Sequence, residues 1–386
     1  MRAPSLPITI DFDPASPPDF TSIPNTRGVA IFESADHRPV LIVSAARLRD
    51  AVLRRLEPPR DGEPSTRRAD LRPIVKHVRA APVGSTFEGD LLFLRLAHDA
   101  MPETFRAVMD RKRGWFLHID PDADFPKFTV IPTSAMPASL PPGGHLLGPV
   151  ADKHAAQRLN QTLEDIFDLC RFHHILVKSP NATACAYKEL GKCPAPCDGS
   201  EPLDSYRSRV HAAIEFMRDP ETLLTSINSQ MQTAAEATDF ERASALKSRL
   251  ETAQSITHHR MRHAIGDSRS GWCVMTTSIQ PQSVRHFVIG PRGFREPESR
   301  DPDALAHASR EVSGESPDTE LHAAIVGLVC DALYRAPRRN ERIIPLGAPD
   351  WHQRISAGEQ TLSQSTPPTN DDPDDFEAEF TAEPME

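Results

Sequence analysis

The sequence predicts an α+β chain: a small mixed sheet with flanking helices, a cysteine-rich linker, an antiparallel helical hairpin and a small α/β C-terminal region. Three observations predict it. Residues 28–43 read strand, Asp-His turn, strand, with β-branched runs GVAIFES and PVLIV on either side. Residues 223–251 place apolar side chains at steps of three and four on two successive segments, the period of amphipathic helices. Between these, Cys170, Cys185, Cys193 and Cys197 sit in a stretch with little periodicity of its own.

In chain order, residues 1–22 are Pro-rich and expected to be disordered. A first domain over 23–135 holds the strand pair, a helix over 45–56, a Pro/Gly/Arg loop to about residue 68, then a helix and strand reaching residue 84. Phe87–Ala97 reads as a helix, FLHI and KFTVI as strands, and PASLPPGG closes the domain. Residues 150–217 form a helix and cysteine-rich region. There Ala155, Leu159, Leu163 and Ile166 share one stripe of a helix over 152–169, and a second helix runs from Pro202 to Met217. The helical hairpin occupies 218–260. In 265–345, WCVMTTS and VRHFVIG predict a β-hairpin and Ala323–Tyr334 one buried helix. Residues 346–386 are expected to be a disordered acidic tail.

In the hairpin, Leu224, Ile227, Met231 and Ala234 line the first helix, while Phe240, Ala243, the stem of Lys247 and Leu250 line the second. Thr238 and Glu241 spell a T-x-x-E capping box between them. A pair of helices this short cannot bury its seam alone and needs another surface, either the chain's own core or a partner. The candidate partner-binding residues are Leu224, Ile227, Met231, Ala234, Ala235, Phe240, Glu241, Ala243, Leu246 and Leu250.

Of 386 residues, 39% are hydrophobic and 37 are proline, so two or three cored domains must share the chain with linker. Net charge is −10, but residues 371–386 hold eight acidic groups and no basic one, which leaves the rest near −2. Such a tail is a solvated solubility segment, or else a mimic competing with DNA for a basic groove. Arg47–Arg79 runs the other way, with ten Lys/Arg against five Asp/Glu. Arg47, Arg49, Arg54 and Arg55 are therefore candidate DNA contacts, although a solvated helix face has the same composition. Six cysteines do not make a secreted disulfide framework. The first residues contain no apolar signal region, and the longest apolar run, Ala323–Cys330, cannot span a bilayer. A cytoplasmic location is expected. Four thiols within 28 residues suit a tetrahedral zinc shell or the irons of an iron–sulphur cluster.

The wording of the hairpin goes further. M-x-x-A-A-E-x-x-D-F-E-R-A-S-x-L-K-x-R-L, residues 231–250, closely resembles the UVR motif. That motif is carried by UvrB and UvrC, two components of the bacterial excinuclease ABC, the nucleotide excision repair complex. There it pairs one helical hairpin with another across the two proteins. UVR hairpins occur elsewhere too, as in the cysteine-rich activator of a protein-arginine kinase. The resemblance therefore implies docking on a UVR-motif protein, most simply UvrB of the excinuclease ABC.

Upstream, IPNTRGVAIFES-ADHRPVLIVSAARLRDAVLRRL looks like the opening segment of the UvrC family, with Ile23-Pro24, Gly28-Val29, Pro39, Ala45 and Leu48 at family positions. Ser85-Thr86-Phe87-Glu88 through Leu92, Pro102, FPKFTVIP and LLGPV resemble later landmarks, so the likeness spans roughly 23–255. It implies a GIY-YIG nuclease domain, whose chemistry needs a tyrosine, an arginine on the scissile phosphate and a metal-binding glutamate. The same likeness puts Ala30 and Leu41 at the two tyrosine positions, Ala51 at the arginine and Phe93 at the glutamate. Val43 and Ser44 replace the YIG glycine and the lysine after it. Alanine and phenylalanine offer no donor, charge or ligand. The expectation is a degenerate GIY-YIG domain with no catalytic residues and no catalytic divalent metal, unless a one-residue shift brings in Arg49 or Asp90.

CAYKELGKCPAPCDG is also very like the UvrC family, where four cysteines are linked to an iron–sulphur cluster. Cys185, Cys193 and Cys197 match, while Cys170 falls two residues early and Phe172 holds the family position; His173 or His174 are substitute ligands. Residues 265–386 are too few for the second nuclease and DNA reader that follow in that family, and carry no acidic triad pattern. The leading expectation is a UvrC-like repair protein without nuclease activity, docking on UvrB and touching DNA. A divergent active endonuclease is the alternative. A cysteine-plus-UVR adaptor of a stress-response kinase or protease is the third reading.

Overall fold

The computed structural model describes residues 4–16, 18–57, 70–136, 144–257, 260–265, 271–290, 293–297, 302–312, 319–364 and 378–381. The first part of the chain runs through β1 (Ile8–Asp11), β2 (Gly28–Glu33), β3 (Pro39–Ala45), α1 (Leu48–Leu56), β4 (His77–Pro82), α2 (Thr86–Ala100) and α3 (Pro102–Arg111). Its strands pair β1 with β4, β4 with β2 and β2 with β3, each antiparallel, so the sheet expected to be mixed is antiparallel. Alternation along β2 divides GVAIFE between two cores. Ala30 and Phe32 join Leu41, Val43, Val78 and Ala80 on the face that α1 covers with Leu48, Ala51, Val52 and Leu56. Val29 and Ile31 join Ile42 and Ala81 on the face that α2 covers with Phe87, Leu91, Phe93 and Leu94.

Two expectations fail here. Residues 1–22 are not wholly unstructured: β1 adds to the edge of β4, and Ile10, Phe12 and Phe20 enter the α1-side core. The apolar alternation of ITI sits between Pro7 and Pro14, which flank the edge strand without interrupting it. Among the described residues 70–76 there is only a turn, with Pro73 inside it, where a helix was expected. The Arg-rich loop lies mostly at 58–69, outside the described residues. At the start of α2, STFE forms a cap: Ser85 accepts from the Glu88 amide at 3.0 Å, and the Glu88 carboxylate accepts from the Gly84 amide at 2.9 Å.

The middle of the chain carries β5 (Trp115–Ile119), β6 (Thr129–Pro132), β7 (His145–Val150), α4 (Lys153–Ile166), α5 (His173–Leu176), α6 (Ala186–Glu189), α7 (Leu203–Arg218), α8 (Pro220–Glu236) and α9 (Phe240–Gln254). β5 sits between β6 and β7, antiparallel to both. Ala155, Leu159, Leu163 and Ile166 of α4 are all buried, packed with Leu117 and Leu147 of the sheet and with Tyr206, Val210 and Met217 of α7. Leu224 of α8 and Ala253 of α9 enter the same core, so the open end of the helical hairpin is anchored in it.

The hairpin turn is capped differently from the T-x-x-E reading. Thr238 adopts φ +56 and its hydroxyl donates to the Ala237 carbonyl at 2.7 Å, while Asp239 accepts from the Arg242 amide at 3.1 Å. Reversing the chain this tightly needs a left-handed residue at 238, which removes Thr238 from cap geometry and passes the cap one residue on.

The last part holds β8 (Trp272–Thr277), β9 (Val284–Ile289), β10 (Phe294–Arg295), α10 (Pro302–Glu311), α11 (Thr319–Tyr334), β11 (Glu341–Pro345), α12 (Trp351–Ser363) and β12 (Ala378–Thr381). Strand order is β10-β9-β8-β11, all antiparallel. Cys273 and Met275 face α10 and α12, while Trp272 and Val274 face α11. The 265–345 region, expected as a small C-terminal α/β region, shares a core with the first domain. Over Ala323–Cys330 α11 is apolar all round and needs walls on both sides. It packs on α2 and on the 133–135 turn after β6, in one core that also takes Phe116 and the Trp272, Val274, Phe287 and Ile289 face of β8–β9. Polar ties match: the Phe87 amide donates to Glu341 at 2.7 Å and the Thr277 hydroxyl to the Gly84 carbonyl at 2.8 Å.

The 346–386 tail is also more than a disordered segment. α12 buries Ile355 and Leu362, and β12 pairs antiparallel with the outer edge of β3, Ala378 opposite Ser44 and Thr381 opposite Leu41. An open edge offers main-chain partners to any extended segment whatever its side chains. No described helix is long and apolar enough to cross a membrane.

Candidate functional site

The four positions expected to be catalytically degenerate do not form one site. Ala30, Leu41 and Ala51 are fully enclosed in the α1-side core, whereas Phe93 is buried on the opposite face of the sheet with α2. The two residues that a one-residue shift would offer are engaged elsewhere. The Arg49 guanidinium donates to the Ile23 carbonyl at 2.6 Å and the Thr21 carbonyl at 3.2 Å, clamping the N-terminal segment onto α1. Asp90 pairs with Lys112. Of the other candidate DNA contacts, Arg47 and Arg54 are exposed and Arg55 half-exposed. Arg47 lies 3.7 Å from Asp50. Glu88, in the first turn of α2, is a structural group: burial raises its pKa, and the Arg285 guanidinium of β9 pairs with it.

The cysteine lobe is a loop held by two short helices and by main-chain bonds. Cys170, Cys193 and Cys197 are buried and Cys185 half-buried. The Ala182 amide donates to the Cys197 carbonyl at 3.0 Å, and the Ser179 hydroxyl to the Pro196 carbonyl at 2.6 Å, so the Cys197 turn is stitched to the segment after α5. Ala195 and Gly199, at φ +61 and +79, bend the chain around that turn. Arg209 of α7 fixes the entry, donating to the carbonyls of Phe167 at 2.9 Å and Asp168 at 3.2 Å while pairing with Glu201. No periodicity marks Arg209 in the sequence, and its role emerges only from the fold.

The thiols sense one another. Burial pushes Cys170 up to about 11, and the charges of Cys193, Cys197 and Cys185 act in the same direction. Burial raises Cys193 and Cys197 as well. Four soft donors on mutually sensing loops, with the Arg209 guanidinium close enough to favour the Cys193 thiolate, are a suitable donor set for a thiophilic ion. Among the described residues, however, no three His, Cys, Asp or Glu side chains are placed to hold one ion. The His173 ring nitrogen Nε2 lies 3.1 Å from the Phe125 carbonyl, and His174 packs edge-on to Phe172.

The hairpin divides the residues assigned to partner binding. Leu224, Ile227 and Ala234 are buried within the chain and Met231 is half-buried. On α9, Ala243, Leu246 and Leu250 are half-exposed, and Arg249 ties the helix to the Ile166 carbonyl at 3.0 Å. Ala235 and Glu241 are exposed at the tip, and Phe240 is 70% exposed. The hairpin is thus fastened at its open end and bare at its turn.

Comparison with known proteins places these features. Residues 115–216 match the family model described as UvrC/Cho excinuclease, middle domain, and residues 221–256 match the UvrB/uvrC motif. The chain is 26% identical to UvrABC system protein C of Trichlorobacter lovleyi over 249 residues, 64% of this chain and 40% of the relative. With the Gemmatimonas aurantiaca protein of the same name identity is 23% over 342 residues, 85% of this chain and 51% of the relative. With that of Nautilia profundicola it is 38% over 72 residues, 19% and 12% of the two chains. The chain therefore spans about half, or less, of the length of these relatives. No solved structure matches it. The cysteine lobe and nearly all of α7 fall inside the matched middle domain and nearly all of α8–α9 inside the matched motif, so it is through these segments that the chain is similar to the UvrC family.

Proposed function

We propose that this protein works in nucleotide excision repair as a non-cleaving member of the UvrC family, docking through α8–α9 on the UVR hairpin of UvrB. One observation carries the reading: Phe240 stands 70% exposed at the turn of a hairpin otherwise anchored in the core, beside the half-covered apolar face of α9. An aromatic left in water next to an incomplete helix seam suits a partner helix, and aromatic anchors dominate such interfaces. The first domain is taken as a degenerate GIY-YIG domain. Its Ala30, Leu41 and Ala51 line a closed apolar core, and Phe93 faces away from them. None of the four can activate water, grip a phosphate or bind a metal. Arg47, Arg54 and Arg55 of the α1 region are the proposed DNA contacts there. Cys170, Cys185, Cys193 and Cys197 would hold an iron–sulphur cluster or zinc, which would cross-link the loop between α4 and α7.

Two measurements test the proposal. Purified UvrB should be captured by the chain, and supercoiled damaged DNA incubated with UvrB, Mg²⁺ and the chain should stay intact. Failure of capture would remove the docking claim, and metal-dependent nicking that survives extensive purification would remove the non-cleaving one.

A further inference from the structure

The cysteine lobe displays a surface that the docking proposal does not use. Among the large apolar side chains exposed in the described residues, Phe172 at 39%, Val177 at 41% and Leu190 at 66% all fall in this one loop. Phe172 is the centre of an aromatic cluster. Its ring centroid lies 6.0 Å from Tyr187 and 5.9 Å from His174, and the Arg171 guanidinium stacks 4.3 Å above the Tyr187 ring. The surroundings are basic: residues 171–192 contain Arg171, Lys178, Lys188 and Lys192 against Glu189 alone. Arg171 and Lys188 are paired with Asp165 and Asp198, whereas the exposed Lys178 and Lys192 make no ion pair among the described residues.

We infer that this lobe is a binding platform for unpaired nucleotides, with bases stacking on Phe172 and Tyr187 and the phosphates running over Lys178 and Lys192. An exposed ring beside cations without counter-charges has two unmet needs, an apolar face and an anion. A single nucleic-acid strand supplies both at each residue. A duplex supplies only the phosphates, because its base faces are covered by stacking. An acidic apolar peptide is the competing occupant. The exposed Lys178 and Lys192 without ion pairs and the exposed Phe172 ring beside Tyr187 favour the strand, whose flat bases aromatic rings can accept. The platform is built by α5, α6 and their flanks, so it depends neither on the hairpin nor on α1.

The test uses fluorescence anisotropy of the full chain with a short labelled oligo-dT strand and with a duplex of equal length. The strand should bind, and Phe172→Ala and Tyr187→Ala should each weaken it about tenfold, the scale of one stacked base. Phe172→Leu, which keeps the apolar side chain but loses the π face, should weaken it similarly with an unchanged circular dichroism spectrum. Lys178→Ala with Lys192→Ala should flatten the salt dependence by about 0.7 in log–log slope per lysine. Duplex binding should ignore the aromatic changes, and Phe240→Asp should bind the strand as the wild type does, which separates this platform from the docking proposal. The inference is overturned if the wild type does not bind the strand. It is equally overturned if Phe172→Leu and the double-lysine variant bind it within about twofold of wild type, or if an acidic peptide binds the lobe and the strand fails to displace it.

Discussion

Replacing Phe240 by aspartate should separate the proposed docking from folding, because the side chain contributes little to the fold and would contribute much to a closed interface. Phe240 is the first residue of α9, preceded by the Asp239 cap, and is 70% exposed. A phenylalanine carries about 200 Å² of surface, so the covered part is about 60 Å² and contributes about 1.5 kcal/mol. An aspartate in the first turn returns about 0.3–1 kcal/mol through the helix dipole. The net effect on the isolated chain is therefore about 1 kcal/mol, a shift of a few degrees in Tm for a chain of this size. At a closed interface the exposed part, about 140 Å², contributes about 3.5 kcal/mol, a few hundredfold in Kd. Isothermal titration of UvrB into wild type and variant, with thermal melts of each chain alone, measures both quantities. Leu53→Asp on α1, 38% exposed and far from the hairpin in sequence, is the control for a surface charge. Binding by Phe240→Asp within about threefold of wild type would refute the argument. So would a loss of binding matched by Leu53→Asp, or a melting transition that collapses with it.

Other outcomes follow from the same geometry. A Cβ at Gly327 would lie 2.3 Å from the Lys112 carbonyl, so Gly327→Ala should push α11 off the β5 lead-in and cost about 1–3 kcal/mol in denaturant melts; an unchanged midpoint would contradict the close packing. Cys197→Ser should abolish stoichiometric iron or zinc retention measured by elemental analysis after anaerobic purification, whereas Cys273→Ser, at a buried thiol outside the lobe, should retain it. The hydrogen bonds from Lys188 and then Ser200 hold the Asp198 carboxyl down at about 2, below its ordinary 3.8. Its folded pKa is depressed, so its support of the Cys197 turn is fully present above about pH 4 and is lost as pH falls through 2. An NMR titration of Asp198 with a midpoint near 4 would show the bonds absent. Deleting residues 365–386 should unpair the β3 edge and speed hydrogen exchange of those amides of 41–44 that face away from β2; unchanged exchange would mean that β12 adds nothing in solution.

Much was legible from short-range pattern. The 28–43 strand pair, the stripe of α4, the helix from Pro202, the two hairpin helices and the largely apolar α11 are where the local pattern put them, because each depends on side chains near one another in the chain. The likeness to the UvrC family was legible too, since the DFERASALKSRL wording is a local property of the chain. Even where a local rule failed it failed narrowly: the turn at Thr238 needed a left-handed residue, and the cap moved one place to Asp239.

What the fold alone decided is long-range. Nothing in the spacing of Ala30, Leu41, Ala51 and Phe93 says that the sheet separates the last from the others, because that follows from which helix covers which face. β1 and β12 join sheet edges through main-chain hydrogen bonds, which leave no mark in side-chain composition; one segment looked too rich in proline to be ordered and the other too acidic. The merger of the C-terminal sheet with the first domain rests on α11, whose sequence demanded two walls but could not name them. By itself the amino-acid order determined elements, the family likeness and candidate ligands, since those are written within a few turns of chain. Faces, edges and which apolar side chains stay uncovered, Phe240 and Phe172 among them, were settled only when distant segments competed for the same surfaces.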